Sequence, residues 1–155
     1  MVAVMSFWPS VYNKIQNQIK LIEYRRRFPK DSEYAYMYIS KPVKAICAII
    51  YFGKIHSLSD WKNEYANIEE ISNRINSFSS KYQYGAEILS IQPIVPITLE
   101  SLRNNVPNFH PPQSYILIEN NECLDKYLRE NIKKIGGKIS NDLTEIFPEH
   151  ICKEY

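Results

Sequence analysis

Four cations and one carboxylate lie close together in the segment IKLIEYRRRFP, residues 19–29. Its β-branched and aromatic residues favour a strand, and residues two apart in a strand share a face. Glu23, Arg25 and Arg27 are therefore predicted on one face, and Lys20 and Arg26 on the other. A carboxylate beside cations stays ionised, so Glu23 could accept a hydrogen bond or act as a weak base. Arg25 could bind a phosphate or a carboxylate.

Two interpretations of this segment are open from its residues alone. In the first, Glu23 and Arg25 form an ion pair on a solvated strand edge, which contributes about 0–1 kcal/mol to stability. In the second, they line a cavity, where a charge costs several kcal/mol unless it is paired. The pairing of Glu23 with Arg25 or Lys20 suits the second case. The pair would then persist in an empty site that binds an anion.

Length and composition fit a single soluble globular domain. The chain has 155 residues, of which 45% are hydrophobic, enough to bury a sizeable core. The net charge of +2 conceals an asymmetry. Residues 1–60 hold nine Lys and Arg against four Asp and Glu, whereas the remainder holds ten against thirteen. A basic first part is compatible with a nucleic-acid or nucleotide ligand.

Several classes of protein are excluded at this stage. Cys47, Cys123 and Cys152 are odd in number and widely spaced, so neither a disulfide framework nor a metal site is expected, and a cytoplasmic location is predicted. The three histidines lack zinc-ligand spacing. No apolar run approaches the roughly 18 residues of a membrane span, and the first ten residues lack a secretory n-region. No metal and no cofactor are predicted.

Hydrophobic periodicity predicts five or six strands with helices between them. The expected helices lie at 11–18, at 60–80 with Asp60 as its cap, at 98–103 with Thr98 as its cap, and at 121–134, the last ending at Gly136-Gly137. The expected strands lie at 2–7, 19–29, 33–40, 43–55, 86–97 and 111–119. This order predicts an α+β fold, a small, partly closed β-barrel with inserted and C-terminal helices. Residues 1–135 would form the domain, and residues 136–155 a C-terminal extension packed on it or a loose tail.

Four motifs in this order resemble the ASCH family, a branch of the PUA-like β-barrels. QIKLIEYR matches the family signature G-x-K-x-x-E-x-R at Lys20, Glu23 and Arg25, with Gln18 where glycine is usual. YISKPVKAICAII resembles a strand, a Ser-x-Pro-like turn and a second strand. YQYGAEILSI resembles the tyrosine-rich segment, and PPQSY resembles the closing P-Q-S-[FY] motif. The resemblance covers roughly residues 2–120.

The resemblance implies a pocket at the barrel mouth that binds RNA or a modified nucleotide. It also implies an enzymatic alternative, because some ASCH proteins resemble ribonucleases and one group removes the acetyl group from acetylated cytidine nucleosides. Lys20 matches the lysine of that amidohydrolase group, but Glu23 stands where its threonine nucleophile lies. A carboxylate is a poor substitute for an attacking hydroxyl, so binding is placed ahead of catalysis.

The other candidate ligand-binding residues come from loops and strand ends of the expected barrel. Each also has a purely structural alternative. Trp8 could lie in the core, and Ser40 with Lys41 could form a plain turn. Tyr84 could be half-buried packing, the loop with Gln113 and Ser114 could bond the neighbouring strand, and Ser6 could bond the local backbone. The candidates are Ser6, Trp8 as a stacking platform, Ser40, Lys41, Tyr84 (in a lid together with Tyr82), Gln113 and Ser114.

Three functions are therefore carried forward from the sequence. The first is an RNA- or modified-nucleotide-binding module with a cationic pocket. The second is a small metal-independent hydrolase of modified nucleosides or RNA, in which Lys20 is the activating cation and Glu23 the general base. The third is a ligand-sensing regulatory protein whose helix 60–80 meets a protein partner or a second copy of the chain.

Overall fold

The computed structural model describes all residues, Met1–Tyr155, as one seven-stranded sheet with five α-helices around it. The strands are β1 (Ala3–Phe7), β2 (Ile22–Arg25), β3 (Tyr34–Ile39), β4 (Ala45–Ser57), β5 (Tyr84–Thr98), β6 (Tyr115–Leu117) and β7 (Ile139–Ser140). The helices are α1 (Pro9–Gln16), α2 (Leu58–Glu64), α3 (Glu69–Ser79), α4 (Leu99–Asn105) and α5 (Glu122–Asn131), with a 3-10 turn at Ile118–Asn120.

The sheet follows the order β2-β5-β4-β3-β1-β6, and β7 pairs with β5. The long strands β4 and β5 form its spine. Their runs of isoleucine and aromatic residues are buried along most of their length, as expected for strands covered on both faces. All the pairs are antiparallel except β1 with β3. The expected α+β architecture, a curled and partly closed barrel with inserted helices, is confirmed.

The core lies on both faces of this curled sheet. Odd-numbered residues of β1 and β3, such as Met5 and Met37, pack inside with Ile15 of α1. Even-numbered residues, such as Val4 and Tyr36, pack outside under α4 and α5. A third cluster joins β2 to α2, α3 and the last residues of the chain. The strand β2 thus lies where the barrel, two helices and the C-terminal segment meet.

The predicted helix 60–80 is wrong as a single element. The structure has α2, then a turn at 65–68, then α3. Both helices bury the same apolar stripe, including Trp61, Ile71 and Ile75, against the sheet, so the spacing continued across the break. Asp60, expected to cap the helix, lies inside the first turn of α2. No helix of the fold is long and apolar enough to cross a membrane.

The end of the chain differs from the expectation in detail. Helix α5 ends at Asn131, five residues before Gly136, because residues 132–135 extend along β5. The last residues then pack on β2, where the Cys152 N–H donates to Tyr24 Oη at 2.7 Å. The Arg74 guanidinium of α3 donates to the carbonyl of Glu149 at 2.9 Å. The predicted capping of α4 by Thr98 is confirmed by its bond from the Ser101 N–H.

Candidate functional site

A tight turn between α1 and β2 brings Lys20 beside Glu23. Gln18 adopts a left-handed conformation with φ 59°, and the amides of Ile19 and Lys20 both bond the carbonyl of Lys14. The strand therefore begins at Ile22 rather than at residue 19. The expected alternation does not reach Lys20, and its predicted place on the opposite face is wrong.

Glu23 is the centre of the site and is only 4% exposed. Its Oε1 accepts from the N–H of Tyr24 at 3.1 Å and lies 3.7 Å from Lys20 Nζ. Its Oε2 lies 3.4 Å from Arg25 Nη2. The pairing expected from the sequence therefore exists, and it is buried rather than solvated. A buried carboxylate between two cations remains an acceptor for a ligand.

Arg25 closes the barrel with its side chain. Nη2 donates to the carbonyl of Ser6 at 2.7 Å, and Nη1 donates to the carbonyl of Ser114 at 3.1 Å and to its hydroxyl at 3.3 Å. The guanidinium also lies over the ring of Phe7, 4.8 Å from its centroid. Because β2 and β6 are the two edges of the sheet, these bonds bridge its open side, which we call the seam. Most donors of Arg25 are thus engaged with the chain itself.

Burial lowers the pKa of the Lys20 ammonium, and Glu23 opposes this by favouring the charged form. The ammonium also lies 5.1 Å from the ring centroid of Tyr24. Lys20 therefore carries a charge that is poorly compensated by Glu23 alone, since Glu23 is shared with Arg25. An additional anion next to Lys20 would be bound favourably for this reason.

The cleft has two parts that share Glu23, Tyr24, Val11 and Tyr82. One part, the lysine compartment, has a volume of about 480 Å³. Its walls come from α1, the end of α3 and the last residues of the chain. The residues that line only this part are Lys14, Lys20, Ser77, Phe78, Ser80, Lys81, Lys153, Glu154 and Tyr155.

The other part, the tryptophan compartment, has a volume of about 260 Å³. Trp8 is 71% exposed at its rim, so the core alternative for this residue is excluded. It precedes Pro9, the first residue of α1, which fixes the start of the helix. Besides the shared residues, this part is lined by Ser6, Phe7, Trp8, Arg25 and Gln113. An exposed indole beside a polar amide is a suitable surface for a planar ring.

The structure gives some of the predicted ligand-binding residues other roles. The Ser6 hydroxyl donates to the carbonyl of Pro112 at 2.5 Å, and Ser114 holds Arg25. Ser40 and Lys41 lie in the turn after β3 and do not line either compartment. Both residues lie outside this cleft, because the turn follows the end of β3, which β4 and β5 separate from β2 in the sheet.

Tyr84 is also outside the cleft, since it opens β5 and lines other surface depressions with Phe28 and Ser57. Tyr82, two residues earlier, occupies the cleft instead. Arg26 and Arg27 follow β2 in an exposed bend beside Ser114. The alternation that separated these two arginines ends with the strand at Arg25.

Comparisons with known proteins agree with this geometry. No protein-family model matches the chain. A curated protein of Zymomonas mobilis, named ASCH domain-containing ribonuclease, is 31% identical over 128 residues, which are 77% of this chain and 86% of that protein. The chain belongs to the ASCH domain family.

Solved structures from the same organism share the fold. The ASCH protein from Zymomonas mobilis superposes with a TM-score of 0.63 at 26% identity, covering 87% of this chain and 98% of that chain. A serine-to-alanine variant of it gives a TM-score of 0.63 at 24% identity, covering 85% and 96%. The resemblance to the ASCH family, and with it the PUA-like barrel, is confirmed.

The structure also explains the glycine position of the ASCH signature. Its usual glycine corresponds to Gln18, whose φ of 59° is the conformation that glycine adopts without steric cost. The Gln18 amide instead donates to the carbonyl of Ser140 at 2.7 Å and to Asn141 Oδ1 at 3.1 Å. These bonds tie the turn to β7 and offset part of the strain.

The sequence did not point to several residues of the cleft. Lys14 lies on α1 three residues after Val11, which also lines the cleft, whereas Tyr82 was predicted together with Tyr84 as part of a lid. Lys153 and Tyr155 come from the segment that had no predicted structure, yet Lys14 Nζ donates to the carbonyl of Tyr155 at 2.8 Å. Only the periodicity of α1 and the tyrosine-rich segment carried a usable signal.

Proposed function

We propose that this ASCH protein binds RNA in the cleft around Glu23. The observation that carries the proposal is the convergence of four lysines on one compartment, next to a second compartment whose rim exposes Trp8. Cationic side chains hold phosphates and release counterions, while an exposed aromatic ring stacks on bases of any identity. The name of the 31% identical relative, an ASCH domain-containing ribonuclease, supports RNA as the ligand.

The roles within the cleft follow from its contacts. The lysines attract the backbone, and Trp8 takes a base by stacking. Glu23 can accept a hydrogen bond from an exocyclic amino group of that base, because its carboxyl oxygens lie at the junction of both compartments. Arg25 supports this role by holding Glu23 and the seam, rather than by offering its own donors to the ligand.

A titration of fluorescently labelled single-stranded RNA at several salt concentrations tests this proposal. Affinity should fall as salt rises. Trp8→Ala should weaken binding by about 1–3 kcal/mol, the contribution of one stacked base. The matched control is Leu89→Ala, which truncates another exposed apolar residue, on β5 outside both compartments. Binding that is indifferent to salt, or equally affected by both variants, contradicts the proposal.

A second candidate, cleavage of the bound RNA, is favoured by one specific arrangement. Lys20, whose pKa is lowered by burial, lies 3.7 Å from the Glu23 carboxylate. Glu23 could take a proton from a ribose hydroxyl or a water, and Lys20 could stabilise the negative charge that develops on the phosphate.

Turnover separates this candidate from binding alone. Labelled RNA and acetylated cytidine are incubated with the protein and with Glu23→Gln, which preserves shape but removes the base. RNA cleavage that the variant abolishes, while it still binds RNA, supports the enzyme. Absence of turnover on both substrates leaves the binding function alone, and conversion of acetylated cytidine would favour an amidohydrolase instead.

A further inference from the structure

The lysine compartment has features of a site for a doubly charged anion. Four lysines and two glutamates line it. Of the two carboxylates, Glu23 is engaged by Lys20, Arg25 and the Tyr24 N–H, and Glu154 is exposed at the rim. Lys153 pairs with Glu149 at 3.8 Å, and Lys14 Nζ donates to the main-chain oxygen of Tyr155 at 2.8 Å. Lys81 has no carboxylate within ion-pair distance. Lysines thus outnumber the glutamates that line the compartment, and Lys81 is left without an anionic partner.

The C-terminal segment forms a wall of this compartment and does not line the tryptophan compartment. Its last residues are held by the bond between Cys152 N–H and Tyr24 Oη at 2.7 Å and by the bond between Lys14 Nζ and the main-chain oxygen of Tyr155 at 2.8 Å. Lys153 extends over the ring of Tyr155, 5.9 Å from its centroid. A polynucleotide that enters past Trp8 would meet this wall, so the lysine compartment suits the end of a strand better than its middle.

The side chains of the two compartments suit one nucleotide that spans both. The smaller part, with Trp8 and Gln113, offers a stacking surface and an amide. The larger part offers ammonium groups together with the Ser77 and Tyr82 side chains. Glu23 lies between them and separates a ring-binding surface from an anion-binding surface.

We infer that the lysine compartment binds a terminal phosphomonoester, at the end of an RNA strand or on a mononucleotide, whose base occupies the tryptophan compartment. This inference rests on the proposed RNA-binding function and adds which part of the RNA is recognised. A phosphomonoester carries up to two negative charges, which suits a compartment lined by four lysines. An internal phosphodiester carries only one.

Competition with a single labelled RNA tests the inference. The competitors are the same unlabelled oligoribonucleotide with a 5′-phosphate, with a 3′-phosphate and with hydroxyls at both ends, and the free 5′- and 3′-mononucleotides. One phosphorylated end should compete about ten- to a hundredfold better than the hydroxyl-ended RNA, the effect of one or two charge-assisted hydrogen bonds. The comparison of the two ends identifies the strand direction, and the mononucleotides distinguish a free nucleotide from an RNA terminus.

Lys14→Gln should bring phosphorylated and hydroxyl-ended RNA to within about threefold of each other, since it removes one charge-assisted bond. The control Lys126→Gln changes an exposed lysine of α5 that pairs with Glu130, and it should keep the preference. Urea unfolding confirms that both variants are folded. Equal competition by all RNA ends, with salt-dependent binding intact, overturns this inference but not RNA binding. A preference that survives Lys14→Gln overturns the assignment to this compartment, and absence of any RNA binding overturns both proposals.

Discussion

The two sides of Glu23 carry cations with different tasks. On one side, Arg25 donates hydrogen bonds to the carbonyls of Ser6 and Ser114 and to the Glu23 carboxylate. On the other side, Lys14 donates only to the main-chain oxygen of Tyr155. Lys81 is exposed at the rim, and its side chain makes no hydrogen bond or ion pair within the chain. The number of cations near a carboxylate therefore does not measure the capacity of a site to bind an anion. What matters is how many of their donors the chain has already used.

The choice of residue type follows the same division. A guanidinium presents several donors in a fixed plane, so one arginine can bond two carbonyls, a hydroxyl and a carboxylate and thereby bridge the seam. A lysine ammonium is a flexible point charge that can reorient toward a ligand. The arginine thus serves the fold, and the lysines are available for phosphate.

The largest expected effect is on stability, at the seam. Arg25→Ala should lower the free energy of unfolding by about 3 kcal/mol, because it leaves Glu23 buried with Lys20 alone and removes the partners of two carbonyls. Urea unfolding measures this change. Arg26→Ala, one residue further on and exposed without a partner, should change stability by less than about 0.5 kcal/mol. Equal losses in both variants would show that the seam contributes nothing.

The next effect concerns affinity on the lysine side. Combining Lys81→Gln with Lys153→Gln should weaken RNA binding by about tenfold at moderate salt and reduce the slope of log affinity against log salt by about two. Stability should stay within about 0.5 kcal/mol of the parent, because both lysines lie at the surface of the compartment. A large loss of stability with an unchanged salt slope would show that these lysines stabilise the fold and do not bind RNA, which contradicts the division between the two sides.

A smaller effect separates Lys20 from its neighbours by pH. The pKa of Lys20 is lowered in the folded chain, so between that lowered pKa and the ordinary lysine value of 10.5 the unfolded chain binds more protons. Its contribution to stability is therefore present above 10.5 and is lost as the pH falls toward the folded pKa. Urea unfolding of the parent and of Lys20→Met should show the parent gaining on the variant as the pH rises through this window. A constant difference would contradict the burial of the ammonium.

The smallest effect lies in the turn that positions Lys20. Gln18 and Lys44 both have positive φ, 59° and 51°. Lys44→Gly should stabilise the protein by about 0.5–1 kcal/mol, because its exposed side chain makes no compensating bond. Gln18→Gly relieves the same strain but loses the bonds to β7, so its net gain should be smaller by about 1 kcal/mol. Equal gains in stability by the two variants, measured by thermal or urea unfolding, would show that the Gln18 bonds to β7 do not offset the strain.

The sequence predicted the fold class and the central trio of the site because both depend on local patterns. Lys20, Glu23 and Arg25 come from one short motif, and Trp8 and Gln113 flank strands whose order the motifs implied. Two of the misplaced element boundaries have the same cause. Periodicity reports which face is buried, so it continued through the turn between α2 and α3, and it could not detect the turn before β2.

The walls of the lysine compartment could not be predicted because they depend on contacts between residues far apart in sequence. Lys14 meets Tyr155, and Tyr24 meets Cys152, across more than a hundred residues. The task of Arg25 was equally hidden, since its carbonyl partners belong to loops whose backbone carries no sequence signal. The sequence shows which residues are charged, but it does not show which of their hydrogen-bond donors are already engaged within the chain.

The outer edge of β2 has a consequence for association between molecules. Its inner edge pairs with β5, and an unpaired outer edge would offer a template for a strand of another chain. The Tyr24 N–H on that edge is instead satisfied by the Glu23 carboxylate, and the Arg25 side chain crosses in front of it to the opposite edge of the sheet. The residues that form the cleft thus also protect the protein from edge-to-edge aggregation, a constraint on their replacement that would hold even without a ligand.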